Sequence, residues 1–257
     1  MQFEKIYNFK RILSLLKQVS KDEIFIHTDN ITKGINFSTI NKERTILLDV
    51  FIPKEETITS DDKKNNLKKK FYLKTGKLFY EIMDAVESGS NVNLEFESND
   101  LNINISYDDI KLISRLNANP EDFIGFPSIE KKSSFKVSGE KISHALNLFS
   151  KFKNDLEVKI QKDNLIIEST SIMGSTKLTM PAMISKIEKN STTESIYDYE
   201  IIKPLLSASK ISSNVDVIFN WNENIGNNVL IAKCHFKDYE GYAKYLFTPK
   251  GVLDGIS

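Results

Sequence analysis

The sequence contains a single cysteine, Cys234, among its 257 residues. One cysteine cannot form an internal disulfide, and it leaves no partner for a CxxC zinc pattern. A reducing, intracellular compartment is therefore the expected location. Long hydrophobic runs are also missing, since none approaches the ~20 apolar residues of a membrane helix, and we expect no membrane partner. The hydrophobic content of 40% is nevertheless enough for a sizeable core.

An excess of charge of one sign is absent as well, because Lys+Arg and Asp+Glu both number 35. A protein that grips nucleic acid over its whole surface is normally basic. Any contact with a polyanion must therefore be confined to one face. Arginine is scarce too, being limited to Arg11, Arg44 and Arg115. Lysine attracts phosphate as a mobile point charge, whereas the arginine fork favours fixed bidentate recognition.

Enzyme motifs are missing from the sequence. It contains no GxGxxG, GxxxxGK[ST], HExxH or GxSxG. His27, His144 and His235 have no partner at metal-ligand spacing, and Cys234 lies in an alternating segment typical of a buried strand thiol. We therefore predict no catalytic residue, no metal and no cofactor. An unfamiliar site in the loop Lys54–Lys70 stays open as a remote alternative.

Four segments carry apolar residues at three- and four-residue spacing, which predicts four amphipathic helices. Each segment is followed by strand-like alternation. The helices begin at intervals of roughly sixty residues, which indicates an internal repeat of one supersecondary unit. The predicted helices are Asn8–Val19, Gly76–Glu87, Gly139–Phe152 and Ile201–Lys210.

This repeat divides the chain into two similar domains of two units each, 1–114 and 132–257. The connector 115–131 contains Pro120, Gly125 and Pro127 and has no sustained period. Such a segment predicts a linker crossing the surface.

Basic side chains lie on the polar faces of three predicted helices. The second helix breaks the pattern, because Lys77 is followed by Glu81, Asp84 and Glu87. A solvated face of any amphipathic helix is the plain alternative, but equivalent basic faces predict non-specific, salt-dependent attraction of phosphates. No aromatics are interleaved there to stack bases, so the faces suit tracking along a duplex. The basic residues are Lys10, Arg11 and Lys17 on the first helix, Lys141, His144 and Lys151 on the third, and Lys203 and Lys210 on the fourth.

Three stretches resemble the sliding-clamp family typified by proliferating cell nuclear antigen (PCNA). Residues 241–250, GYAKYLFTPK, are similar to the family's G-x-x-K-Y-x-x-A-P-K ending, with Thr248 in place of the alanine. Residues 40–53, INKERTILLDVFIP, resemble the family's M-D-P-S-R-V-V-L-I-D-L-x-L-P strand. Residues 8–17, which include Leu16 and Lys17, resemble the first clamp helix with its lysines.

The resemblance implies an α+β DNA clamp fold of two similar domains, with helices inside a ring and sheets outside. It implies a polymerase processivity factor that encircles duplex DNA and tethers replication and repair enzymes, without being an enzyme or using a cofactor. The implied partners are double-stranded DNA of any sequence, DNA polymerase, the clamp loader, other proteins with a binding peptide, and self or paralogue subunits in a trimer.

The same resemblance assigns roles to individual residues. The residues implied to face DNA are Lys10, Arg11, Lys17, Lys77, His144, Lys151 and Lys210. The residues implied to bind a partner peptide are Ile40, Arg44, Leu47, Ile124, Phe126, Pro127, Tyr245, Phe247 and Pro249. Subunit contacts would join Asp109–Arg115 of one copy to Met173–Met180 of the next, a head-to-tail pairing that closes as a ring.

Departures from the family pattern leave alternatives open. Typical members are strongly acidic and this chain is neutral; the loop Lys54–Lys70 is longer and more basic; and Gly251–Ser257 replaces the acidic tail. The ring could therefore be a homotrimer or a heterotrimer, and a specialised clamp-like subunit, such as a checkpoint ring member or a viral processivity factor, is the second hypothesis. The expected location is the cytoplasm or nucleoid of an archaeon, or the nucleus of a eukaryote.

Overall fold

The computed structural model describes residues 2–3, 6–29, 34–53, 57–58, 69–73, 76–87, 89–97, 100–117, 133–161, 163–172, 174–187, 194–222, 227–238 and 240–250. Contacts within the chain define two units. The N-terminal unit takes in 1–41, 48–125 and 239–241, and the C-terminal unit takes in 42–47, 126–238 and 242–257. The predicted connector, apart from 115–117, lies outside the described residues, as does most of the loop Lys54–Lys70.

In the N-terminal unit, the described residues form two helices, α1 Ile6–Val19 and α2 Gly76–Asp84. The strands are β1 Gln2–Phe3, β2 Ile24–Asp29, β3 Gly34–Ile40, β4 Ile46–Pro53, β5 Thr57–Ile58, β6 Lys69–Leu73, β7 Asn91–Glu97, β8 Asp100–Tyr107 and β9 Ile110–Asn117. One sheet has the order β5-β1-β7-β8-β9, and a second set of strands has the order β6-β2-β3-β4.

The helices of this unit pack by the apolar stripes that the sequence shows. Phe9, Ile12 and Leu16 of α1 are buried, and the Phe9 ring lies 5.6 Å from that of Phe37 on β3. Each such side chain contributes about 1.5–3 kcal/mol when removed from water. At Gly34 a Cβ would overlap the Ile52 carbonyl oxygen and the Phe51 ring, so β3 and β4 approach closely only because this residue is glycine.

In the C-terminal unit, the described helices are α3 Gly139–Phe149, α4 Tyr199–Ile202 and α5 Pro204–Lys210. The strands are β10 Ser133–Ser138, β11 Leu156–Gln161, β12 Asn164–Ser171, β13 Gly174–Pro181, β14 Met183–Ile187, β15 Glu194–Tyr197, β16 Ser212–Asn222, β17 Asn227–Phe236 and β18 Tyr242–Phe247. One sheet has the order β13-β12-β11-β15, and β14-β10-β16-β17-β18 are neighbours in the other.

Helices α3 and α5 pack side by side on β16. Their apolar faces, with Ile142 and Leu146 of α3 and Leu205 of α5, enclose a small apolar cavity over Val217 and Ala232 of the sheet. Gly139 permits this close packing, because a Cβ there would overlap the carbonyl oxygens of Ser209 and Ser212.

The predicted repeat is visible in the order of elements. A three-stranded meander follows each of four helices: β2-β3-β4 follows α1, β7-β8-β9 follows α2, β11-β12-β13 follows α3, and β16-β17-β18 follows α5. A short antiparallel meander is the simplest way for consecutive strands to cover one helix, because neighbouring strands need only tight turns.

The fourth predicted helix, Ile201–Lys210, is wrong in its form. The helix begins earlier, at Tyr199, where the Asp198 carboxylate accepts a hydrogen bond from the backbone N–H of Glu200 at 2.8 Å. It then breaks at Lys203, and α5 starts at Pro204. The missing N–H and the ring of proline disrupt a helix interior, but they fit a first turn.

Other predicted boundaries also shift. The second helix ends at Asp84 rather than Glu87, and the third at Phe149 rather than Phe152. The side chain of Ser138 makes no capping hydrogen bond. Strand β9 continues through Asn117 into the predicted connector, because Arg115 and Leu116 still pair with β8.

Candidate DNA and partner interfaces

Two lysines of α1 converge on one acid of α2. Lys10 Nζ donates a hydrogen bond to the backbone carbonyl oxygen of Asp84 at 3.0 Å, and Lys17 Nζ donates to the Asp84 carboxylate at 2.5 Å. Asp84 is the last residue of α2, where carbonyl oxygens have no partner within the helix and cations are favoured. Asp84 is one of the acids that interrupt the basic pattern of the second predicted helix. It contacts two lysines of the first helix, Lys10 and Lys17.

The other predicted DNA-facing residues of this unit differ in exposure. Lys77 is exposed and its Nζ lies 4.0 Å from Glu81 Oε1, one turn along α2. Arg11 is half-buried, and its backbone carbonyl accepts a hydrogen bond from Ser14 Oγ at 2.6 Å. Nearby carboxylates thus offset part of the positive charge on this helical face.

The helices of the C-terminal unit carry cations in a different setting. His144 on α3, Lys151 just beyond its end and Lys210 at the end of α5 are all exposed. Across the residues that the structure describes, no carboxylate forms an ion pair with any of these three. Lys203, by contrast, pairs with Glu200 at 2.7 Å. We call His144, Lys151 and Lys210, together with exposed Lys141, the C-terminal cationic face.

One aromatic residue next to this face was missed. The third helix is predicted to run through Phe152, but it ends at Phe149, and Phe152 is 47% exposed. It lies between exposed Lys151 and Lys153, and Lys153 has a φ of 52°, a left-handed conformation that turns the chain after a helix. The apolar periodicity of the sequence continues through Phe152, so no signal in the sequence indicates that the helix ends before this residue.

Two strands at the edges of their sheets expose side chains on both faces. Strand β9 ends its sheet in the described part of the chain, and Ile110 and Ile113 are 68% and 72% exposed. Strand β13 ends the other sheet in the same way, with most of Gly174–Pro181 exposed. These strands cover the segments predicted for subunit contacts except Asp109, which directly precedes β9, and Met173, which lies outside the described residues. Edge strands offer unpaired N–H and C=O groups to an added strand.

The predicted peptide-binding residues divide into three groups. Ile124, Phe126 and Pro127 lie outside the described residues. Ile40 ends β3 in the N-terminal unit and is half-buried. In the C-terminal unit, Arg44 is exposed with a φ of 57°, while Leu47 and Pro249 are largely buried near a hydrogen bond from the Thr248 N–H to the Thr45 carbonyl.

Tyr245 and Phe247 do not line a surface pocket, as the resemblance implied that they would. Both side chains are fully buried, and their rings stack at 5.4 Å on the inward side of β18. Burial raises the pKa of the Tyr245 hydroxyl well above its usual value, and burial raises the pKa of the neighbouring Cys234 thiol to about 12. The prediction of a buried strand thiol is confirmed.

The residue that sequence reasoning missed is Leu246. Side chains alternate across a strand, so Leu246 points away from the helices and is half-exposed. Cross-strand register places Ile218 of β16 and Ile231 of β17 beside it. We call Ile218, Ile231 and Leu246 the apolar row. The sequence did contain a signal for the outward direction of Leu246, because Ala243, Tyr245 and Phe247 alternate with it and occupy the inward side of the strand.

Two findings limit the chemistry of the described residues. Among them, no group of three or more His, Cys, Asp or Glu side chains could hold a metal ion. No helix in the described ranges is long and apolar enough to cross a membrane.

Two units, each with helix-plus-meander repeats, cationic helices and open edge strands, define an α+β clamp architecture. Comparison with solved structures identifies the particular type. The chain is similar to a subunit in the crystal structure of the PCNA2–PCNA3 complex from Sulfolobus tokodaii, with a TM-score of 0.73, 16% identity, and coverage of 97% of this chain and 98% of that one. It is also similar to proliferating cellular nuclear antigen from Entamoeba histolytica, with a TM-score of 0.71, 16% identity and 97% coverage of both chains. The chain therefore has the PCNA-type clamp fold, and the predicted fold class is confirmed. No family model and no curated protein matches the sequence.

Proposed function

We propose that the chain is a subunit of a DNA sliding clamp, which encircles duplex DNA and tethers replication and repair enzymes to it. The observation that carries this proposal is the C-terminal cationic face, exposed on helices of a PCNA-type fold. Scattered lysines attract phosphates without reading bases, so a clamp that carries them can slide. The action is topological and needs no covalent chemistry, so we propose a scaffold rather than an enzyme.

Retention on blocked DNA tests encirclement directly. The protein is incubated with linear duplex DNA carrying biotin at both ends, and streptavidin is then added or withheld before gel filtration in about 0.3 M salt, where surface charge contacts are largely screened. A ring leaves open ends but stays on blocked ones, so we expect co-elution only with streptavidin. Equal loss from both DNAs would contradict the proposal.

Ring formation is proposed through strands β9 and β13 of neighbouring copies. Three chains of 29.4 kDa give a particle of about 88 kDa. Light scattering at micromolar concentration measures this mass, and a monomer would count against a homotrimer.

A heteromeric ring is the second candidate, and the edge strands favour it. Neither Ile110–Asn117 nor Gly174–Pro181 contains an acidic residue, whereas they contain Lys111 and Lys177, and also Arg115, which pairs with Asp100 of β8. Pairing two copies of this chain would bring cations together, and like charges on facing strands destabilise a sheet. A paralogue with acidic edge strands would remove that penalty, and one similar structure is a complex of two different clamp subunits. A monomer that joins such a paralogue would support this second candidate.

For partner peptides, we propose that the contact centres on Leu246 rather than on Tyr245 and Phe247. Leu246 is the half-exposed member of the apolar row, on the side of the sheet away from the helices, whereas Ile218 and Ile231 are buried beside it. A short peptide with a Q-x-x-hydrophobic-x-x-aromatic-aromatic pattern is the probe that tests this site, by fluorescence anisotropy.

A further inference from the structure

A row of charged residues crosses the sheet next to the apolar row. Register places Lys136 of β10 opposite Asp216 of β16, Asp216 opposite Lys233 of β17, and Lys233 opposite Lys244 of β18. We call these four residues the basic row. Residues two positions apart on a strand lie on the same face of the sheet. Each member of the basic row is two positions from a residue that lies in register with Leu246, so the basic row shares the face of Leu246. Those residues in register are Ser134, Ile218, Ile231 and Leu246 itself.

The basic row carries three cations and one acid. Asp216 Oδ2 lies 2.8 Å from His235 Nε2. Lys233 Nζ sits 4.0 Å above the Tyr242 ring, an arrangement that holds an ammonium group over an aromatic face. Lys233 and Lys244 are directly opposite, and such like-charged pairs lower sheet stability. With three cations and one acid, the basic row carries a net positive charge, and an anionic segment of a partner would complement it.

The spacing of the two rows fits an extended peptide. Residues two apart on a strand are separated by about 7 Å, and four neighbouring strands span about 14 Å. A chain whose apolar side chain rests on Leu246 would therefore place residues a few positions away over Lys244 and Lys233. The basic row is half-exposed or exposed throughout, so its charges are accessible.

We propose that this surface selects partner peptides in which acidic residues flank the apolar anchor. The inference rests on the proposed function and deepens it, by naming the charge of the flank. An acidic peptide fits better than a nucleic acid, because Asp216 interrupts the row with a negative charge and the adjacent Leu246 needs an apolar side chain to cover it.

The experiment compares three fluorescent peptides on the full chain. All share the Q-x-x-hydrophobic-x-x-aromatic-aromatic core, and their flanks hold four Asp, four Ser or four Lys residues on each side. We expect the acidic peptide to bind about tenfold more tightly than the basic one in 50 mM salt, and the difference to shrink to about twofold in 500 mM salt.

Neutral variants assign the preference to the row. Lys233→Gln combined with Lys244→Gln should reduce the tenfold preference to about threefold. Lys237→Gln combined with Lys21→Gln is the matched control, because it also removes two positive charges at exposed residues outside the row, and it should keep the full preference. Circular dichroism verifies that each variant is folded.

The possible outcomes distinguish a failure of this inference from a failure of the proposed sliding-clamp function. Equal binding of the acidic and basic peptides, or an undiminished preference in the double variant, would overturn the inference alone. If no peptide binds, the proposed peptide site fails together with it. Loss of duplex DNA binding in the double variant, with peptide binding unchanged, would instead assign the row to nucleic acid and overturn the inference.

Discussion

At the scale of single residues, Asp84 offsets positive charge on the helices of the N-terminal unit that we propose to face DNA. Its backbone carbonyl and its carboxylate together engage Lys10 and Lys17. Exposed ion pairs contribute only ~0–1 kcal/mol to stability, because water and salt screen them. The more important effect of this contact is therefore on the local field rather than on folding.

Replacing Asp84 with asparagine should increase the affinity for duplex DNA. Asp84→Asn removes a negative charge and releases Lys17, so we expect binding a few-fold tighter at 50 mM salt, with a melting temperature changed by no more than a few degrees. Anisotropy with a fluorescent duplex measures the affinity. Glu87→Gln is the control: it makes the same charge change on an exposed residue that is not part of the contact, and an equal increase in affinity there would show a general field effect instead.

Leu246 and Phe247 are neighbours whose substitutions should have opposite consequences. Phe247→Ala leaves a cavity in the core and should lower the free energy of unfolding by about 3–5 kcal/mol. Leu246→Ala should cost much less stability and yet weaken peptide binding about tenfold, because it removes the exposed anchor. Urea unfolding and peptide titration distinguish the two. Unchanged peptide affinity in Leu246→Ala would place the peptide elsewhere.

At the scale of elements, the helices of the two units differ in their charge setting. In the N-terminal unit, α2 supplies carboxylates next to the lysines of α1. In the C-terminal unit, α3 and α5 face each other without such acids among their exposed described residues, apart from Glu140 at the start of α3. The same repeated unit therefore has two different electrostatic roles.

Duplex binding should accordingly depend more on the C-terminal cationic face. Lys151→Ala combined with Lys210→Ala should reduce the slope of log K against log salt by about 0.9 for each phosphate that the protein no longer neutralises. Lys10→Ala combined with Lys17→Ala should reduce it less, because Asp84 already neutralises part of that charge. A larger reduction of the slope in the second pair would contradict this order of importance.

At the scale of the whole molecule, strands β9 and β13 are the proposed contacts between copies. Ile113 lies on β9 and is 72% exposed, which is unusual for a large apolar side chain. An interface between copies would cover it.

Ile113→Lys should therefore produce folded monomers. A lysine there adds charge to a strand that already carries Lys111 and Arg115, and it removes an apolar contact. Light scattering should then report about 29 kDa in place of about 88 kDa. Ile196→Lys makes the same change at an exposed site on β15, a strand that is not proposed to join copies. If Ile196→Lys also dissociates the particle, or Ile113→Lys leaves it intact, the proposed edge is wrong.

The sequence by itself determined the repeat, the amphipathic helices and most strands. Those features depend on local periodicity, which contacts between neighbours in the chain express directly. The second and third predicted helices, for example, begin in the structure at the predicted residues, Gly76 and Gly139. It also indicated which residues carry charge on the helices.

Only the tertiary structure decided which charges meet and which side chains face out. The contact of Lys17 with Asp84 joins residues 67 positions apart, and no local pattern encodes such a pairing. Likewise, the break at Lys203 and the exposure of Phe152 depend on where helices end. The outward direction of Leu246 depends on how its strand is registered with its neighbours. Register is a property of paired strands rather than of one strand, so the basic row across four strands could be read only from the folded chain.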